Sequence, residues 1–188
     1  MLAQPCRRIV FTIKSEDQGW GGDIDDHNTF KGSWTWFEAG LERWCKTSPA
    51  HTNPPGQQTQ QEQQSQQPSL NLDDLCTVFP EVKREHESYT FDHPLHPRED
   101  LKIQCNRTAS SEPEVHRVVW SYNDDIDPTV DVKAAQELAL KGRGIATGNG
   151  KFVRDLKLGD VVTVWAKARF GGWVNHVHFI KMDVYYAI

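Results

Sequence analysis

Gly159-Asp160-Val161-Val162-Thr163-Val164-Trp165-Ala166-Lys167-Ala168-Arg169 is the stretch whose reading decides the fold. It is rich in β-branched and aromatic residues, which suit a pleated, half-buried surface. Gly159-Asp160 reads as the turn that opens it. Successive side chains of a strand point to opposite faces. With Val162, Val164, Ala166 and Ala168 toward a core, Thr163, Trp165, Lys167 and Arg169 share the other face. As an open surface, that row of indole and cations suits an anionic or sugar ligand. It reads equally well as a covered face, or as a solvated one carrying a single aromatic.

Outward from this strand, the same composition recurs. Arg8 to Ile13, Ser33 to Arg43, Leu101 to Cys105, Val115 to Tyr122 and His176 to Tyr186 all carry strand signals, and Gly40 marks a bulge. Phe170-Gly171-Gly172-Trp173 reads as a loop. One helix is expected over Val132 to Lys141, stopped by Gly142 and Gly144. Short strands separated by turn-rich segments favour an antiparallel sheet pair over a βαβ fold. The expected class is mainly β: an antiparallel β-sandwich, jelly-roll-like, with one short helix and a long disordered insertion. In a closed jelly roll the terminal strands, near residues 8–13 and 176–186, pair with each other.

The insertion is legible in composition. Between Gln57 and Gln67, eight of eleven residues are Gln, with Pro49, Pro54 and Pro55 before them and Pro68 after. Such a segment buries too little apolar surface to offset its ordering entropy, so a disordered loop is expected over residues 47–71. The piece before it, residues 1–46, holds Trp20, Trp34, Trp36 and Trp44 and is too small to shelter them alone. Both pieces are therefore expected to build one domain, residues 1–188. Loop-closure entropy grows slowly with length, which makes the insertion tolerable.

Bulk properties exclude some functions. A chain of 188 residues with 37% hydrophobic and 25% charged residues is globular, with room for one well-buried core. A formal charge of −5 argues against nucleic acid held by phosphate neutralisation. No apolar run is long enough to cross a bilayer. Met1 to Lys14 lacks the apolar segment of a secretory signal, so a cytoplasmic location is expected. Cys6, Cys45, Cys76 and Cys105 form no C-x-x-C pair and read as free thiols of a reducing compartment. Asn106-Arg107-Thr108 fits a glycosylation sequon, which has no meaning without a secretory route.

The densest candidate site is Asp17-Gln18-Gly19-Trp20-Gly21-Gly22-Asp23, followed by Gly32-Ser33-Trp34-Thr35-Trp36-Phe37-Glu38. Glycines permit close approach of a ligand. Indoles edged by polar groups give the plate a sugar or peptide side chain needs. Phe170 to Trp173 repeats these ingredients. The competing reading places these tryptophans in the core, where Trp is buried on average.

Two acidic loops share an Asp-Ile-Asp centre. Asp23, Asp25 and Asp26 form one; Asp124, Asp125 and Asp127 form the other. Clustered carboxylates suit Ca²⁺, and a structural Ca²⁺ ion is the single cofactor these loops suggest. EF-hand spacing fails, since counting from Asp23 places Asn28 at the sixth position and Trp34 at the twelfth. Asp is also an ordinary turn and cap residue. His176 and His178 share a strand face, and His93 and His96 sit in a loop, but neither pair brings a third ligand at a metal-binding spacing. Gly142 to Lys151 is glycine-rich without being a P-loop, because Ile145 and Phe152 occupy the required glycine and hydroxyl positions. Nucleophile-elbow and zinc-hydrolase patterns are absent.

Asp17-Gln18-Gly19-Trp20, Gly32 to Glu38, and Gly159 to Trp173 together resemble an uncharacterised module of filamentous fungal proteins. That resemblance spans both pieces of the chain, skips the Gln-rich insert and carries no catalytic residue. The order of strands and Trp-bearing loops is also similar to galactose-binding-like, discoidin-type jelly rolls, a likeness of architecture that names no ligand. The expected function is non-catalytic binding of a glycan or other polar ligand. Trp20, Trp173 and Trp165 would stack, while Asp17, Asn175, Lys167 and Arg169 would supply hydrogen bonds or charge. The alternatives are a protein-interaction or homodimerisation module and an enzyme of unrecognised type.

Overall fold

The computed structural model describes residues 4–44, 74–79 and 101–187. The Gln-rich stretch at 47–71 and the pair His93 and His96 lie outside the described residues.

The chain order is β1 (Cys6–Glu16), β2 (Thr35–Trp44), β3 (Leu75–Phe79), β4 (Lys102–Cys105), β5 (Glu114–Ser121), α1 (Val132–Leu140), α2 (Lys151–Asp155), β6 (Val161–Ala168) and β7 (His176–Tyr186). Short 3₁₀ turns occupy Ile24–Asp26 and Thr147–Asn149. The strands form two antiparallel sheets, ordered β5–β1–β7 and, in the second, β3 and β4 on one side of β2 with β6 on the other. The architecture is the antiparallel β-sandwich that the alternation of hydrophobic residues predicts. The terminal strands do pair: Ile9 faces Val184, Phe11 faces Met182 and Ile13 faces Ile180.

Alternation builds the core. Ile9, Phe11 and Ile13 of β1 point inward from one sheet, and Phe37, Ala39 and Leu41 of β2 from the other. Val118 and Trp120 of β5, Ile103, Val153 and Leu156 complete the cluster, with Val162 and Val164 of β6 packed against it. Phe11 meets Trp120 edge-on at 5.0 Å, and Trp120 meets Phe152 at 5.3 Å, a geometry that adds to simple burial. Burying one such large apolar side chain contributes about 1.5–3 kcal/mol.

Helix α1 starts where Asp131 accepts from the Ala134 N–H, an N-cap interaction, and it ends two residues before Gly142. Two short elements were not legible in the sequence. The Leu75–Phe79 strand pairs with the end of β2, from Leu41 to Trp44. The Lys151–Asp155 helix follows the glycine-rich Gly142 to Lys151 stretch, and Val153 finds a fully buried place in the core. The helix count is thus two α-helices among the described residues, where one was expected.

The turn before β6 is pinned by charge. Arg43 at the end of β2 donates from Nε and Nη2 to the two oxygens of Asp160, at 2.7 and 2.8 Å, the bidentate fork that carboxylates favour. Asp160 also accepts from the Lys157 N–H. Cys6 and Cys105 are buried free thiols, and burial pushes the Cys105 pKa up to about 11. Cys76 corrects the sequence reading, since it is disulfide-bonded. Pairing of β3 with β2 decides its neighbours, and spacing along the chain carries no trace of that. Disulfides persist in oxidising surroundings, so Cys76 removes one ground for expecting a reducing compartment. No helix among the described residues is long and apolar enough to cross a membrane.

Candidate functional site: an aromatic ridge on two glycine-tryptophan loops

Residues 17–34 join β1 to β2, and residues 169–175 join β6 to β7. Both loops rest on a buried polar network that the sequence did not announce. Asn106, 1 % exposed, receives a hydrogen bond from Ser15 Oγ at 2.6 Å and donates toward Glu16 O, Thr35 Oγ1 and Asn175 Oδ1. Thr35 Oγ1 donates to Asp17 Oδ1 at 2.8 Å, and Asp17 Oδ2 accepts from the Ala109 N–H at 2.9 Å. Asn175 Nδ2 donates to the carbonyls of Trp36 and Lys167. A buried network satisfied at each member rigidifies the backbone it touches. It holds the roots of both loops in register.

On this base the loops lock together. Gln18 donates through Nε2 to the Trp20 carbonyl at 2.6 Å, and its Oε1 accepts from the Val174 N–H at 3.2 Å. His27 Nε2 contacts the Gly21 carbonyl at 3.1 Å. Gly21 stands at φ +92°, and a Cβ there would lie 2.9 Å from the Trp173 ring. Only glycine fits both the left-handed backbone and the close approach.

The result is a continuous aromatic ridge. Trp20 and Trp173 meet at 5.2 Å and 55°, Trp173 and Phe170 at 5.5 Å and 65°, Phe170 and Trp34 at 5.3 Å and 76°. Arg169 closes the far end, its guanidinium 4.6 Å from the Trp34 ring centroid and 5.1 Å from that of Phe170, within cation–π range. Trp20 is 52 % exposed and Phe170 44 %. The ridge therefore presents ring faces and edges to solvent, on loops fixed from beneath.

The remaining expected site residues fall elsewhere. Asp17 and Asn175 lie beneath the ridge, in the polar network just described. Trp165 sits on the outer face of β6, 43 % exposed, with its indole N–H donating to Thr163 Oγ1 at 2.9 Å. It lies across Gly40, where a side chain would collide with Thr163 Oγ1 and Trp165 Nε1. Gly40 thus serves close packing, while β2 stays in register there with β6 and its irregularities toward β3 and β4 fall at Leu41/Glu42 and Phe37/Glu38. Lys167 shares that outer face but is buried, its ammonium paired with the Glu38 carboxylate. Glu38 also accepts from Trp36 Nε1 at 2.7 Å. The row Thr163, Trp165, Lys167, Arg169 is covered at Lys167 and open at Trp165.

The acidic loops carry turn chemistry. Asp23 Oδ1 accepts from the Asp25 N–H, Asp124 Oδ2 from the Ser121 N–H, and Asp127 Oδ1 from the Thr129 N–H and hydroxyl. Asp26 Oδ2 lies beside Gly32, and Asp25 and Asp125 are exposed. Among the described residues, no three His, Cys, Asp or Glu side chains converge as a metal site would require. His176 and His178 are exposed on β7, and His178 Nε2 contacts Glu16 Oε2 at 3.2 Å. A separate cavity of about 260 Å³ lies against Trp120, Leu41, Leu101, Phe152 and Val153, with Thr147 and Asn149 at its edge.

Of the residues the sequence reading named, the structure brings Trp20, Trp173 and Arg169 together in the ridge. Sequence reading missed Trp34 and Phe170 as ridge members and Gln18, Ser15, Thr35 and Asn106 as its supports; the Gly-rich context of both loops was the available signal. No family model matches the chain, and neither a curated protein nor a solved structure shows a significant match to it.

Proposed function

We propose that the protein is a non-catalytic binding module whose aromatic ridge receives a glycan or another polar ligand with an apolar face. The observation that supports this reading is the ridge itself. Trp20 and Phe170 stay about half exposed on loops already held by Gln18, Asn106 and Asp17. A pre-formed site spends less of its interaction energy on ordering, so modest contacts suffice for affinity. Sugar C–H faces and aromatic rings pair through dispersion and exclusion of water. Polar groups at the loops would then fix orientation.

The test is a glycan array combined with a thermal-shift screen of small polar ligands, on the wild-type protein and on Trp20→Ala and Phe170→Ala. A ligand at 100 times its Kd stabilises the folded state by about 2.7 kcal/mol, enough to read as a clear rise in Tm. Binding lost in both variants, with their folding intact, is the expected result. A ligand that binds both variants as well as the wild type would place recognition elsewhere and overturn the proposal.

A further inference from the structure

Strand β7 is an edge: among the described residues it pairs with β1 alone. It is also unusually apolar for an edge. Val177, Phe179, Ile180, Val184, Tyr185 and Tyr186 are each between 36 and 65 % exposed. Ile180 and Val184 lie on the core side of the sheet, opposite the fully buried Ile13 and Ile9. Sandwich strands do not ordinarily leave such inward positions uncovered. An exposed edge with apolar side chains on both faces is a template for pairing with another chain.

The sequence of β7 names its occupant. Its register against β1 runs without irregularity from Phe179 to Tyr185, between shifts at Lys14/Ser15 and at Cys6/Arg8. Those seven residues, Phe179-Ile180-Lys181-Met182-Asp183-Val184-Tyr185, are self-complementary about Met182. Placed antiparallel to a second copy across a two-fold axis at Met182, Lys181 faces Asp183 and Asp183 faces Lys181. In the same register Ile180 faces Val184, and Phe179 faces Tyr185, each pair occurring twice. Shifting the axis by one residue puts Lys181 against itself, or Asp183 against itself. Opposite charges and aromatic pairs directly across an antiparallel ladder are favourable, and like charges there are not.

We propose that a second copy of this chain docks on β7, joining the two β5–β1–β7 sheets into one continuous sheet through an isologous two-fold interface at Met182. Within one chain Lys181 Nζ already contacts Asp183 Oδ2 at 2.9 Å on the exposed face. Docking exchanges that local contact for two reciprocal ones across the interface. The inward-facing Ile180, Val184 and Tyr186 of both copies are covered together, which the isolated chain does not achieve. A two-fold interface requires a patch that matches itself, and a palindromic charge pattern is the form such a match takes on a strand. This site is distinct from the aromatic ridge, so either proposal can fail without the other.

Sedimentation velocity on the full chain and on two charge variants tests the register. Lys181→Asp gives each chain two acidic residues at the axis, and Asp183→Lys gives each two basic ones. The wild type should run as a dimer that dissociates on dilution. Each variant alone should be at least about tenfold weaker in self-association, since both cross-strand pairs become like-charged. An equimolar mixture of the two variants should form the dimer again, because every acidic position then meets a basic one. Circular dichroism of each variant guards against misfolding, and both substituted side chains are solvent-facing. A wild type that stays monomeric up to about 100 μM would overturn the proposal. A dimer unchanged in both variants, or a mixture that fails to associate, would overturn it as well.

Discussion

Trp20 and Trp173 come from loops at opposite ends of the chain and meet ring to ring at 5.2 Å. They do so because β1 and β7, the strands attached to those loops, are neighbours in one sheet. The contact is thus a direct consequence of terminal-strand pairing, and it turns two separate glycine-tryptophan motifs into one surface.

The contact should be measurable as a coupling energy. Aromatic pairs contribute about 0.5–1.5 kcal/mol beyond the area they bury. A double-mutant cycle of Trp20→Ala and Trp173→Ala, followed by urea unfolding, should return an interaction of that size and sign. Trp173→Ala alone should cost more than Trp20→Ala, whose side chain is half in solvent. Additive losses, with no interaction, would mean that the rings adjoin without stabilising each other.

Gly40 should tolerate no side chain. Even the methyl of Gly40→Ala meets Thr163 Oγ1 and Trp165 Nε1 on the outer face of the sheet. Overpacking of this kind costs about 1–3 kcal/mol. Adding Trp165→Ala to Gly40→Ala should recover part of the loss, since it removes one of the two colliding groups. Chemical denaturation of the two variants checks this, and a neutral Gly40→Ala would show that the Trp165 indole does not lie across Gly40.

His116 gives the fold a dependence on pH. Burial disfavours its protonated form and holds its pKa below the ordinary 6.5; Arg107 and Arg143 push the same way, and Glu114 opposes them. The unfolded chain therefore takes up this proton more readily than the folded one. Stability from this group is complete above about pH 6.5 and declines as pH falls from there toward the lower, folded-state value. Phe replaces the ring in shape and carries no proton. Urea midpoints taken from pH 7.5 to pH 5 should fall less steeply in His116→Phe than in the wild type, and equal slopes would remove His116 as the source.

How much of this was legible beforehand depended on the range of the interaction concerned. Strand β6 was readable because its period of two is written in adjacent residues, and α1 because Gly142 and Gly144 close it. Strand β3 was not, since five residues beside a Gln-rich tract become a strand by pairing with Leu41 to Trp44. The ridge was half legible: glycine beside tryptophan marked both loops, while nothing local showed that Trp34 and Phe170 would link them to Arg169.

The sequence by itself determined the alternation of apolar and polar side chains along β6 and the strand-forming composition of β1, β2, β4, β5 and β7, and with them the sandwich class. Those follow from backbone geometry, which acts between neighbours along the chain. Only the tertiary structure decided which partners the strands found. It buried Lys167 against Glu38, drew Asp17 and Asn175 into a network around Asn106, and left β7 as an apolar edge. Burial and hydrogen bonding of a side chain are properties of whatever lies across the sheet from it, and that neighbour can be any residue the topology brings there.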